Sequence, residues 1–286
     1  MTKPVSSHVS RVVVIVLLVA IGAGVAGAQT PTVSVDELAD GVYLFTYNVH
    51  RSLFVVTDEG VLATDPQSPE AAARYVEEIR KITAAPIKYL VYSHHHADHV
   101  SGGDVFPAET EVIAHRAAVP FVDADEGIRS VDIAIAEDAA VTMDGLLISL
   151  VYPGPSETDT SLIIFVPERS VAFMVDAVSV RTVPWRNMAG SDPYAWKAAV
   201  EHLATLDFDI LAPGHGPVGT KEHVAEYVEY LDDLINAVQQ RIDRGESLEQ
   251  IQRSLELPQY ADWTRYDEHF ELNIEGVYRS LTGRSA

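Results

Sequence analysis

The chain of 286 residues contains no cysteine. Disulfides, thiolate ligands and a cysteine nucleophile are therefore excluded, and any metal must be held by imidazole nitrogens and carboxylate oxygens. Basic residues are scarce: 20 Lys and Arg stand against 42 Asp and Glu, a formal net charge of −22. Nucleic acid is disfavoured as a partner, because phosphate binding draws on clusters of Lys and Arg. The acidic residues are spread along the chain without a long block, the pattern of a solvated surface. Beyond the N-terminus no segment has the roughly 20 apolar residues of a bilayer span. No internal repeat or low-complexity linker divides the chain.

The one long apolar run is N-terminal. Lys3 and Arg11 precede Val12–Ile21, and small residues lead to Ala26-Gly27-Ala28. A basic start, an apolar stretch and an Ala-x-Ala end predict a secretory signal peptide over residues 1–28, cleaved after Ala28. The alternative, an uncleaved anchor, meets a stretch that is short for a span. The expected protein is periplasmic or secreted, without stable membrane insertion after cleavage. Residues 29–286 read as one domain with interleaved strands and helices. Strands are expected at 42–47, 52–57, 61–64, 87–92, 111–115, 146–152, 162–166, 171–178 and 210–212, from β-rich runs bounded by turn residues. Helices are expected at 69–83, from a Ser191 or Asp192 cap to about Phe208, over 221–244 and over 267–282. Ser247 and Gln250 form a capping-box pattern for one more. The chain is thus mainly helical from about residue 220.

Residues 93–103 read Ser-His-His-His-Ala-Asp-His-Val-Ser-Gly-Gly. His94, His96, Asp98 and His99 fall within six positions, directly after the apolar run Ile87–Tyr92. Imidazoles and carboxylates are zinc ligands. A strand sends neighbours to opposite faces, whereas a loop at its end turns several side chains onto one point. Gly102 and Gly103 permit the tight turn that follows.

The run His94-His95-His96-Ala97-Asp98-His99 resembles the H-x-H-x-D-H signature of the metallo-β-lactamase superfamily. Further ordered matches over about residues 40–220 are Asp65-Pro66 before a helix, Asp176 at a strand end, and Gly214-His215-Gly216. The resemblance implies an α/β fold, a four-layer αββα sandwich with two metals at one sheet edge. Zinc is expected, with iron or manganese as alternatives. By position, His94 and His96 belong to the first metal, and Asp98, His99 and His215 to the second, with Asp176 as the bridge. Asp98 is also the expected catalytic carboxylate. His95 has no ligand role and is expected to point away. Where the third histidine of the first site is usual, this chain has Glu157, within Pro153-Gly154-Pro155-Ser156-Glu157-Thr158-Asp159. A carboxylate can complete a His2Glu set; Asp159 is the next candidate.

The implied activity is hydrolysis of a small molecule. A metal-held hydroxide would attack a carbonyl, as in a β-lactam, lactone or thioester. The alternatives are an iron-dependent sulfur or persulfide redox enzyme of the same fold and a non-catalytic metal-binding accessory protein. His50, Arg181 and Asn187 are candidate substrate residues, with Trp185 and Arg186 in the same loop. The remaining histidines, His8, His115, His202, His223 and His269, read as structural or surface residues.

Overall fold

The computed structural model describes residues 31–283; the expected signal peptide lies outside them. Strands β1 (Val33–Ala39), β2 (Val42–Tyr47), β3 (His50–Val56) and β4 (Val61–Thr64) form an antiparallel meander. Helix α1 (Pro69–Ile82) then crosses to β5 (Ile87–Tyr92), which lies parallel to β4. Ser68 caps α1 by accepting from the Ala71 amide, and Pro69 occupies its first turn, where a missing N–H costs nothing. A single helical turn, α2 (Ala97–Val100), follows, then β6 (Glu111–His115), short α3 (Val119–Val122) and β7 (Ile133–Ile135), which complete a seven-stranded sheet in sequence order.

The second sheet contains β8 (Ala139–Met143), β9 (Leu146–Val151), β10 (Ile163–Val166) and β11 (Val171–Met174), all antiparallel. Helix α4 (Pro193–Thr205), capped by Asp192, crosses to β12 (Ile210–Pro213), parallel to β11, and β13 (Gly219–Thr220) forms the edge. Helices α5 (Lys221–Asp243), α6 (Leu248–Ser254) and α7 (Tyr266–Thr282) close the chain.

Strand periodicity sets the layers. In β11, Val171 and Phe173 point into the core between the sheets, while Ala172 and Met174 point to the helices outside. In β3, Leu53 and Val55 face the inter-sheet core, and Phe54 packs with Tyr75 and Ile79 of α1 on the other side. Both faces are covered, so these strands read as continuous apolar runs. Three apolar layers therefore separate four structural ones, the expected αββα sandwich. Among the described residues no helix is long and apolar enough to cross a membrane.

Some boundaries differ from expectation. The connection expected at 48–51 is only Asn48-Val49, because His50 and Arg51 already pair with Tyr47 and Thr46. The strand expected to reach 178 stops at Met174, because Asp176 turns the backbone at φ 56°. Helix α4 ends at Thr205 rather than Phe208, since Leu206 is already extended. The loop expected after β5 contains helical α2. Strands β1, β7, β8 and β13 were not among the expected ones.

Candidate metal centre

Strand direction brings the donors together. The parallel pairs β4/β5 and β11/β12 end at the same edge, and ligand sites in open α/β sheets form outside such carboxyl ends. Asp65 follows β4, the histidine run follows β5, Asp176 follows β11, and His215 follows β12. His50 opens β3, which runs antiparallel to β4 and so starts where β4 finishes. Glu157 comes from the β9–β10 connection. Backbone bonds tie the two halves at this edge: Arg51 N–H donates to Gly214 O at 3.0 Å, and Leu162 N–H to Ser93 O at 2.7 Å.

Three donor groups result: His94, His96, Glu157 and Asp176; His50, Asp98 and His215; and His99, Asp176 and His215. Within each group the candidate ligand atoms lie within 4.8 Å of one another. Asp176 belongs to two groups. Its Oδ2 is 3.4 Å from His94 Nε2 and 3.8 Å from His96 Nδ1, while its Oδ1 is 3.0 Å from His215 Nε2 and 3.8 Å from His99 Nε2. Glu157 Oε1 stands 3.4 Å from His96 Nδ1. Glu157 is thus grouped with the expected first-site residues, and Asp159 is in none of the groups.

The outer nitrogens of several rings are engaged. His94 Nδ1 meets Ser93 Oγ at 3.0 Å, His215 Nδ1 meets Val49 O at 3.1 Å, and His99 Nδ1 lies 3.4 Å from Asp65 Oδ2. Asp65 is itself held by the Ser93 amide at 2.8 Å. Such partners orient a ring so that its other nitrogen faces a metal. His95 points away, as expected: its Nδ1 meets Thr160 Oγ1 at 3.0 Å and its ring stacks on Phe121.

The electrostatics fit a cation. Burial, and then the neighbouring His99, lower His94, whereas hydrogen bonding to Asp176 raises His96. Burial opposes charge on His99, yet the carboxylates of Asp65, Asp176 and Asp98 push it up to about 9. Asp98 is held well below the usual carboxylate range, chiefly by its bond to His50. Asp176 is also lowered, its burial outweighed by His215, His94 and His96. Glu157 is pushed up to about 7 by burial. The atoms His94 Nε2, His99 Nε2, Asp176 Oδ1 and Glu157 Oε2 are buried without hydrogen-bond partners. Unpaired buried donors and acceptors are costly. Converging at one point with negative carboxylates, they have the composition and placement of divalent-metal ligands.

The donors open onto a cavity of about 410 Å³. His50, His96, Asp98, Glu157, Asp176 and His215 form part of its lining; Val49, Val183, Pro184, Trp185 and Tyr227 supply an apolar remainder. His50 reaches Asp98 at 3.2 Å, so it joins the donor cluster as well as the cavity. Arg181 corrects an expectation. Its guanidinium is paired with Glu226 at 3.0 and 3.1 Å, outside the lining. Asn187 does not line the cavity either; its backbone carbonyl packs against Gly276 of α7. Arg186 lies over Trp185 without entering the lining. Arg265, Ser179, Thr182 and Tyr227 line the cavity and were not anticipated; no local motif marks them. Among the other described histidines, His115 stacks on Tyr152, His223 caps α5 and His269 is edge-on to Trp185.

The solved structures most informative for the fold are a metallo-beta-lactamase from Pontibacter korlensis and an inverting sec-alkylsulfatase from Pseudomonas sp. The first has a TM-score of 0.63 at 20% identity, covering 70% of this chain and 99% of its own. The second has a TM-score of 0.71 at 16% identity, covering 88% and 51%. In sequence, the chain is 27% identical over 192 residues to the 2,4-dinitroanisole O-demethylase subunit alpha of Nocardioides sp.. It is 23% identical over 288 residues to the linear primary-alkylsulfatase of Pseudomonas sp.. These alignments cover 65% and 78% of this chain but only 58% and 53% of the relatives' own lengths. The family model described as the metallo-beta-lactamase superfamily matches residues 47–215, more than half of the chain and the stretch containing every donor named above. The chain belongs to the metallo-beta-lactamase superfamily.

Proposed function

We propose that the protein is an exported, dinuclear metal-dependent hydrolase that attacks the carbonyl carbon of a small molecule such as a lactone, thioester or β-lactam. The observation that carries this reading is the sharing of Asp176 between two donor groups at the wall of one cavity. His94, His96 and Glu157 would hold the first cation, Asp98, His99 and His215 the second, and Asp176 both. When bound, a metal pair would supply Lewis acidity and a water made nucleophilic near neutral pH. The side chains supply the rest. Asp98 Oδ2 and His50 Nε2, 3.2 Å apart, form a path for a proton leaving the reacting centre. Val49, Val183, Pro184 and Tyr227 hold the apolar body of the substrate and exclude water from it.

Glu157 supports a second reading, cleavage of a sulfate ester or aryl ether. It replaces an imidazole with a hard, charged oxygen, and two relatives are named for alkylsulfatase and O-demethylase activity. The test is turnover by purified, zinc-, manganese- or iron-loaded protein in ¹⁸O-labelled water. Label in a carboxylate product of a lactone, thioester or β-lactam supports the first reading. Turnover of only alkyl sulfates or nitroanisoles replaces it with the second. An iron-containing protein that turns over only persulfides overturns both.

A further inference from the structure

We infer that Arg265 is the anion-holding residue of the cavity, and that the substrate pairs an apolar body with one anionic group. The inference rests on the cavity of the proposed hydrolase and adds its substrate class.

Four observations converge on Arg265. It lines the cavity that also contains Asp98, Glu157 and His215. Its guanidinium carbon lies 4.6 Å from the centre of the Trp185 ring, whose indole also lines the cavity and is edge-on to His269 at 4.6 Å. Among the described residues no carboxylate lies within 4 Å of the guanidinium, although Arg169, Arg181, Arg241 and Arg279 all have one. Its backbone is pinned: Thr264 N–H donates to Arg181 O at 2.8 Å, Val183 N–H donates to Thr264 O at 3.2 Å, and Arg265 itself turns at φ 65°. The ladder that carries Arg181 away to Glu226 is the one that delivers Arg265 to the cavity.

Other described arginines, such as Arg116, Arg186 and Arg244, also lack a carboxylate partner, but among the described residues only Arg265 of the arginines lines the cavity. The contact with the Trp185 ring leaves the guanidinium donors free, and an arginine so placed can make two parallel bonds to a carboxylate or a sulfate. The side chain is exposed at the rim, so an incoming solute reaches it before the donor cluster. The long-range field of an acidic protein repels anions, and a fixed cation at the rim offsets that field where the substrate enters. Val183, Pro184 and Trp185 of the same lining provide the surface for the apolar body.

The test is calorimetric binding of 3-phenylpropanoate and of neutral 3-phenylpropanamide to the metal-loaded protein, its Arg265→Gln variant and its Arg265→Lys variant. Neither probe turns over, so the result stands or falls separately from the hydrolase reading. The expected result is at least tenfold tighter binding of the acid than of the amide by the parent, a preference lost in Arg265→Gln and partly kept in Arg265→Lys. Metal content and melting temperature should stay unchanged, which separates the effect from misfolding. A preference that survives Arg265→Gln places the anion on the metals and overturns the inference. A parent that binds both probes equally, or neither at millimolar concentration, overturns it as well.

Discussion

Glu157 stands in a candidate donor group where the resemblance leads one to expect a third histidine, and single substitutions read its role. Glu157→Gln keeps the shape and removes the charge. Bound metal, measured by plasma emission on gel-filtered protein, should drop from two per chain towards one. Glu157→His should keep two and shift preference towards zinc, because imidazole replaces a hard oxygen. Two tightly held metals in Glu157→Gln would make it a loop residue only. Asp98→Asn tests a different function. Its side chain is half-exposed to the cavity and bonded to His50, so the substitution should cost turnover by about 100-fold or more while leaving the melting temperature within a degree or two. An equal loss of stability and rate would move Asp98 from chemistry to architecture. Residues were legible in the sequence where they crowd together: the six positions from His94 to His99 include four of the donors. Arg265 was illegible because it sits in an unremarkable polar stretch, about eighty residues beyond Trp185, and only the Thr182–Thr264 bridge brings it back. Beside the same bridge, Arg181 turns away to pair with Glu226 and stays out of the cavity lining.

At the scale of elements, strands with both faces buried, such as β5 and β6, declared themselves as apolar runs with correct ends. Strands β7 and β8 did not, because exposed Ile133, Ala134, Ala140 and Thr142 give a weak pattern next to charged neighbours. The helical turn α2 was hidden because four residues are too few for periodicity; tertiary packing holds it. Gly102 shows that packing. A Cβ placed there would stand 2.6 Å from Ser68 O and 2.7 Å from Ala72 Cβ, at the capped start of α1. Backbone on one side and a buried alanine on the other leave little room to yield. Gly102→Ala should therefore destabilise by about 1–3 kcal/mol and displace α2, which supplies Asp98 and His99. Urea unfolding and metal analysis should show both losses together. Lost stability with full metal content would mean that α2 is positioned by the donors and not by α1.

For the whole molecule, the two sheets contribute different candidate ligands: the first provides His94, His96, Asp98 and His99, the second Glu157, Asp176 and His215. This division could not be read from the sequence, which orders the donors without saying which sheet carries them. Among the described residues the apolar clusters begin at Val33; with a signal peptide expected over residues 1–28, a chain starting at Gln29 should match the full chain in melting temperature and metal content. N-terminal sequencing of the protein from its native compartment should find Gln29, and an intact Met1 in membranes would favour the anchor. Because the proposed cations bridge the halves, metal binding and folding should be linked, with a characteristic dependence on pH. In metal-free protein, His99 is raised from 6.5 to about 9 and Glu157 from 4.5 to about 7. A raised pKa stabilises fully below the unfolded value and ceases to do so as pH climbs through the folded one. Glu157 therefore loses its contribution between about pH 4.5 and 7, and His99 between about 6.5 and 9. Chelator-treated protein should melt at progressively lower temperature from pH 6.5 to 9. Protons compete with cations for the same atoms, so the metal-loaded protein should show a flat or rising profile over that window. Glu157→Gln should remove the acidic part of the metal-free slope and leave the part above pH 7. Calorimetric melting at half-unit pH steps, with and without chelator, measures all of this. Parallel profiles in the two states would show that the donors do not bind the metal through the groups that titrate, and the division of ligands between sheets would then have no role in holding them together.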